Sequence, residues 1–226
     1  MMRRAIVLFL LVSAAAVCEG PPRMELLLEK REGDAWRTVD PGLVLAQNDR
    51  VRFRFRANFD GYLYVMNRST SGKYEQLFPR EETGRENRIV AGKDYVVPAT
   101  QAAFRIAGPA GHEVVYWMVT PVDLSAGEGN SGAYVPMPPP PPKEKQAPSN
   151  ITPRCDGTLF RARGACIDSS AGPKDASKSG ALPENLAGVE AGSRDLLFLR
   201  KENTSVVSSP EPLTGPVIYE FRLAHR

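Results

Sequence analysis

The side chains that could do chemistry are few. Two histidines, His112 and His225, and three cysteines, Cys18, Cys155 and Cys166, stand among 226 residues. A Ser/His/Asp or Cys/His engine needs a base within hydrogen-bond reach of a nucleophile, oriented by a third group. No G-x-S-x-G elbow accompanies these residues. His112 falls in a Gly- and Pro-rich turn and His225 beside the last residue, so both are expected to be exposed turn and tail side chains. The same five residues could in principle hold zinc, but there is no C-x-x-C and they come from unrelated parts of the chain. The expectation is a protein that is not an enzyme and carries no metal and no cofactor.

The first cysteine belongs to a leader, MMRRAIVLFLLVSAAAVCEG. Arg3 and Arg4 supply a positive start, and residues 5–11 an apolar core too short to span a bilayer, the pattern of a secretory signal. Ala14-Ala15-Ala16 offers a cleavage site, giving a signal of 1–16. Ala15-Ala16-Val17-Cys18 also resembles a lipobox, giving 1–17 with lipid on Cys18. Val17 is bulkier than that pattern wants; lipid on Cys18, however, would leave the other two cysteines as an even pair. In an oxidising compartment the expected pairing is a Cys155–Cys166 disulfide closing a short loop. The protein is therefore expected to be exported: periplasmic, attached to an outer membrane, or extracellular. Any membrane attachment would come only through the N-terminal lipid.

Charge excludes one partner class. The formal net charge of +3 falls to +1 once Arg3 and Arg4 leave with the signal. Nucleic acid needs a clustered basic surface, so no nucleic-acid partner is expected. Arg52, Arg54 and Arg56 do form a stripe, alternating with Val51, Phe53 and Phe55. Such a stripe either meets an anionic partner, such as a polyanionic glycan, or is balanced by neighbours such as Glu25 and Glu29 on an adjacent strand. Tyr62, Tyr64 and Tyr74, with Tyr116 and Trp117, either fill a core with hydroxyls at its rim or build a sugar platform. The balanced stripe and the filled core are the expected readings. A ligand face of Tyr62, Tyr64, Tyr74, Arg52, Arg54 and Arg56 is the alternative.

These side chains must be positioned by strands. Residues 51–56 alternate apolar and charged, which puts one set on each face. Asp60-Gly61 turns the chain, and residues 62–66 are apolar on both faces, the mark of a covered central strand. Residues 73–78 return, and Pro79 stops the ladder. Further strands are expected at 24–30, 35–39, 89–90, 95–97, 103–106 and 113–119, and no helix before Pro121. The fold class is all-β, an antiparallel β-sandwich over 24–121. Residues 122–193, with prolines unbroken from Pro138 to Pro142, read as a mostly disordered insertion holding a small knot at Cys155–Cys166. Strands at 196–199 and 217–223, within 194–226, should pair back onto the sandwich, because two strands alone are marginal; the alternative is a separate accessory hairpin.

The run GYLYVMNRSTSGKYEQLFP, then AGKDYVVP, then FRIAGPAGHEVVYWMVTP resembles a bacterial family known as domain of unknown function 4384. The shared elements fall on residues 61–67, 77–79, 97–98 and 108–113, and the resemblance covers about 24–121. It implies an exported or envelope-associated accessory β-domain, often joined to other modules, and no reaction or ligand. The functional expectation is binding or scaffolding in the bacterial envelope with an unidentified envelope protein or glycan, by surface recognition or strand addition. The alternative is a carbohydrate- or peptidoglycan-binding module using an aromatic face.

Overall fold

A computed structural model describes residues 20–124, 152–176 and 195–226. The signal cleavage site, Cys18 and the 138–142 proline run lie outside the described residues.

Two antiparallel sheets face each other. The first contains β1 (Arg23–Glu32), β2 (Ala35–Val39), β3 (Arg50–Ala57), β7 (Asp94–Val97), β8 (Phe104–Arg105), β11 (Leu197–Lys201) and β12 (Thr204–Ser208). Its order is β11-β12-β1-β3-β7, with β2 beside β1 and β8 beside β3. The second contains β4 (Gly61–Arg68), β5 (Tyr74–Phe78), β6 (Arg88–Ile89), β9 (Gly111–Thr120), β10 (Gly172–Lys174) and β13 (Val217–His225). Its order is β10-β13-β9-β4-β5, with β6 beside β4.

Alternation along β3 explains the packing. Val51, Phe53 and Phe55 are buried while Arg54 and Arg56 are exposed, as a half-buried strand requires. Trp117 of β9 stands edge-on to Phe53 and Phe55, at 5.2 and 5.5 Å between ring centres. Phe221 of β13 meets Phe53 the same way at 5.1 Å. Rings at these distances add edge-to-face attraction to the burial of large apolar area.

The C-terminal strands complete both sheets. β13 pairs with β9 from Val217↔Val119 to His225↔Gly111. β12, which the sequence did not reveal, pairs with β1 and makes a hairpin with β11. Its TSVVS sequence is short and half polar, and its turn, Glu202-Asn203, lacks the usual glycine. Residues 196–199 and 217–223 thus join different sheets rather than each other.

Within the 122–193 stretch, residues 152–176 fold around the small knot expected at Cys155–Cys166. Asp156 caps α1 (Gly157–Arg163) by accepting from the backbone N–H groups of Thr158 and Leu159, and Gly164 closes it in the left-handed conformation. The segment then zips onto the 40–45 loop: Val44 N–H donates to Cys166 C=O at 2.9 Å and Asp168 N–H to Gly42 C=O at 2.8 Å. Gly42 is required there, since a Cβ would sit 2.7 Å from the Asp168 carbonyl oxygen. Cys155 and Cys166 lie at disulfide distance with Cα atoms 4.8 Å apart, within the span of a bridge.

Candidate functional site

An open groove of about 450 Å³ runs between the β5 edge of one sheet and the 102–108 segment, which carries β8, of the other. Leu77, Phe104, Ile106, Val115 and Leu223 give it apolar lining; Lys73, Glu75, Arg80, Glu82 and Arg105 add charges of both signs. Its size falls within the usual range for ligand sites. One end is closed by the β4–β5 tip. There Glu113 accepts from Asn67 Nδ2 at 2.9 Å and from Thr70 N–H at 3.3 Å. The tip approaches the turn before β9 so closely that a Cβ on Gly111 would meet Thr70 Cγ2 at 2.8 Å. A side chain there would have to push the tip out of the groove wall.

The two histidines are not exposed, which corrects the sequence expectation. β9 begins at Gly111 and β13 runs to His225, so strand pairing draws both inward. His225 is fully buried, with Nε2 3.5 Å from Glu113 Oε1 but no hydrogen-bond geometry to it. His112 Nε2 lies 3.2 Å from Asp168 Oδ2 and 3.3 Å from Ser170 Oγ. The trio is not arranged as a triad. Both partners address the same ring nitrogen, and Ser170 Oγ also lies 2.6 Å from Asp168 Oδ1. A relay needs nucleophile and acid on opposite nitrogens. Burial pushes the Asp168 carboxyl up, but hydrogen bonds from Ser170 Oγ, Ser170 N–H and Arg154 N–H, helped by His112, hold it below the usual range. The trio is a polar latch between the 152–176 segment and β9.

Residues 44–123 match the family model described as domain of unknown function (DUF4384). The match holds the G-x-L-Y-V-x-N strand, the L-F-P stop and the G-P-x-G turn on which the sequence resemblance rests. It also holds every groove-lining residue except Leu223. No curated protein and no solved structure matches the chain.

The arginine stripe lies outside the groove, on the outer face of the first sheet, within the DUF4384 stretch but facing acidic partners on β1 that lie before it. Glu29 binds Arg52 Nε at 2.6 Å and Arg54 Nη2 at 2.7 Å. Arg52 also stacks over Trp36, 4.3 Å from the ring centre. Arg56 is paired in register with Glu25 and Asp94. Acidic neighbours therefore balance the stripe.

Tyr62, Tyr64, Tyr74 and Tyr116 do not enter the core between the sheets. Of the aromatic group named from sequence, Trp117 does. The period of two in β4 and β9 sends the tyrosines to the outer face of the second sheet. Tyr64 is fully buried there; it donates to Asp123 Oδ1 at 2.8 Å and accepts from Leu124 N–H at 2.9 Å. Burial, then the bond to Asp123, push its hydroxyl up to about 12. Burial raises Tyr116 further. Tyr62 and Tyr74 are half-buried. The groove itself, built from β5, the 102–108 segment and β9, was missed from sequence. Its only local signals were the two glycines around Pro109 and the short polar tip.

Among the described residues, no three His, Cys, Asp or Glu side chains group in a way that could hold a metal ion. No helix among them is long and apolar enough to cross a membrane.

Proposed function

We propose that the protein is an exported, non-catalytic accessory β-domain that binds a partner protein of the bacterial envelope through the groove. The observation that carries this reading is that nearly the whole groove lies within the DUF4384 stretch. Apolar lining with mixed charges suits a short segment of another protein; a polyanion would want one sign of charge. Cysteines at disulfide distance fit an oxidising compartment. The aromatic platform has less support, since Tyr64 and Tyr116 are buried.

The test places a photo-crosslinking residue at Ala103 in the groove and, as a control, at Arg56 on the outer face of the other sheet, in full-length protein in its own envelope. A single protein adduct from Ala103, lost in a Lys73→Glu, Arg105→Glu variant and absent from the Arg56 control, is the expected result. Equal adducts from both positions, or none, would overturn it. Co-sedimentation with sacculi that is lost on Tyr62→Ala, Tyr74→Ala would favour the glycan-binding alternative.

A further inference from the structure

Sheet edges invite foreign strands, and native proteins blunt them. Most edges here are blunted. On β5, Arg80 Nη1 covers the Gln76 carbonyl at 3.1 Å and Thr83 Oγ1 covers that of Leu77 at 2.5 Å. β7 ends at Pro98, β10 has three residues with Pro173 at its middle, and β2 carries Arg37. β11 is different. It has no proline and no bulge, and no described strand lies on its outer side. Its outward side chains, Leu197 and Leu199, are 57% and 63% exposed. Its two charges lie at its C-terminal end: Arg200 is turned to an ion pair with Asp40, and Lys201 is the last residue, so neither guards the middle of the edge.

We propose that β11 is the contact surface for a second copy of this chain, paired antiparallel about a twofold axis at Phe198. Register follows from the hairpin. The two-residue turn Glu202-Asn203 makes Lys201↔Thr204 a hydrogen-bonded pair, so Leu199 and Leu197 also bond to β12. The backbone N–H and C=O groups of Phe198 and Arg200 then point to the free edge. Centring the axis on Phe198 sets these outward groups against their copies. It also makes Leu197 and the partner's Leu199 a non-hydrogen-bonded pair, where side chains stand closest. Asp195 comes to face the partner's Lys201. The next permitted register, centred on Leu199, sets Leu197 against the partner's Lys201 and loses the ion pair. Apolar contact and charge thus favour the Phe198-centred arrangement, a closed isologous dimer. Val206, paired with Leu199 on β12, extends the leucine strip on each side.

The experiment measures mass in solution for the full mature chain over a range of concentrations. A shift from one chain to two is expected, with Leu199→Lys weakening association at least tenfold while leaving the thermal stability of the single chain, read at low concentration, unchanged. Register is read by mixing Leu197→Cys and Leu199→Cys chains under mild oxidation and mapping the linked peptides. The heterologous 197–199 link should form only in the mixture. A single-chain mass at every concentration, a dimer indifferent to Leu199→Lys, or a 199–199 link from Leu199→Cys alone would each overturn the proposal. A single chain whose position 199 photo-crosslinks to another envelope protein would assign the edge to a foreign strand instead.

Discussion

Glu29 holds Arg52 at 2.6 Å from the middle of a sheet face that is otherwise open to water. Its second oxygen holds Arg54 at 2.7 Å, so one nearly buried carboxylate neutralises two arginines. Glu29→Ala leaves both without their partner. Breaking a fully buried pair costs roughly 3–5 kcal/mol; with both arginines partly in water the loss should be about 2 kcal/mol, measured by chemical denaturation. The variant should also gain salt-sensitive retention on a polyanion column that the parent lacks. Unchanged retention would mean that Glu29 is not what masks the stripe.

The Asp168 latch is pH-dependent in a definite direction. Its folded-state carboxyl titrates below the ordinary value of 3.8. Such a group adds stability that is present above the unfolded-state value and lost as pH falls through the folded one. The protection of amides in 152–176, relative to their intrinsic exchange, should therefore fall below about pH 4 while β3 and β9 stay protected. Asp168→Asn should show the faster exchange already at neutral pH. Protection that is flat across the acid range would dismiss the latch.

Cys155 and Cys166 should resist alkylation until the protein is reduced. Closing so short a loop contributes about 2–3 kcal/mol in the chain-entropy account. Cys155→Ser with Cys166→Ser should make 152–176 the first site of limited proteolysis, with the two sheets still resistant. Alkylation of both thiols without reductant would show that the pair is not bridged.

Phe53 meets Trp117 and Phe221 across the core and Phe104 within its own sheet. Phe53→Ala should cost about 3–5 kcal/mol. Tyr64→Phe, which removes only the hydroxyl bonded to Asp123 and Leu124, should cost about 1 kcal/mol. If the two losses were equal in thermal unfolding, the core would not be centred where the rings meet.

Strand identity was largely legible because it is local. Val51 to Arg56 alternates, and residues 62–66 are apolar on both faces in a strand flanked by β9 and β5. β12 was not legible, since TSVVS carries half the usual apolar signal and earns its place only by pairing with β1. α1 was hidden for a related reason: seven residues are too few to show a helical period, and its evidence is a cap at Asp156 and a stop at Gly164. The candidate site was less legible still. Periodicity places Tyr62 and Tyr64 on one face of their strand, but not on which side of the sheet the core lies.

By itself the sequence determined an all-β sandwich, a resemblance to one family over about residues 24–121, a cysteine pair that can close a loop, and an arginine stripe with acidic neighbours within reach. These follow from patterns with a reach of a few residues: alternation, turn glycines, charge spacing. Only the tertiary structure decided that the C-terminal strands divide between two sheets, that His225 is buried and His112 drawn against Asp168, that Tyr62, Tyr64, Tyr74 and Tyr116 lie on the outer face of their sheet, and that β5 and the 102–108 segment part to leave a groove. Each depends on contacts between residues far apart in the chain. Which face of a strand is covered is set by what packs on it, and the strand's own sequence does not record that.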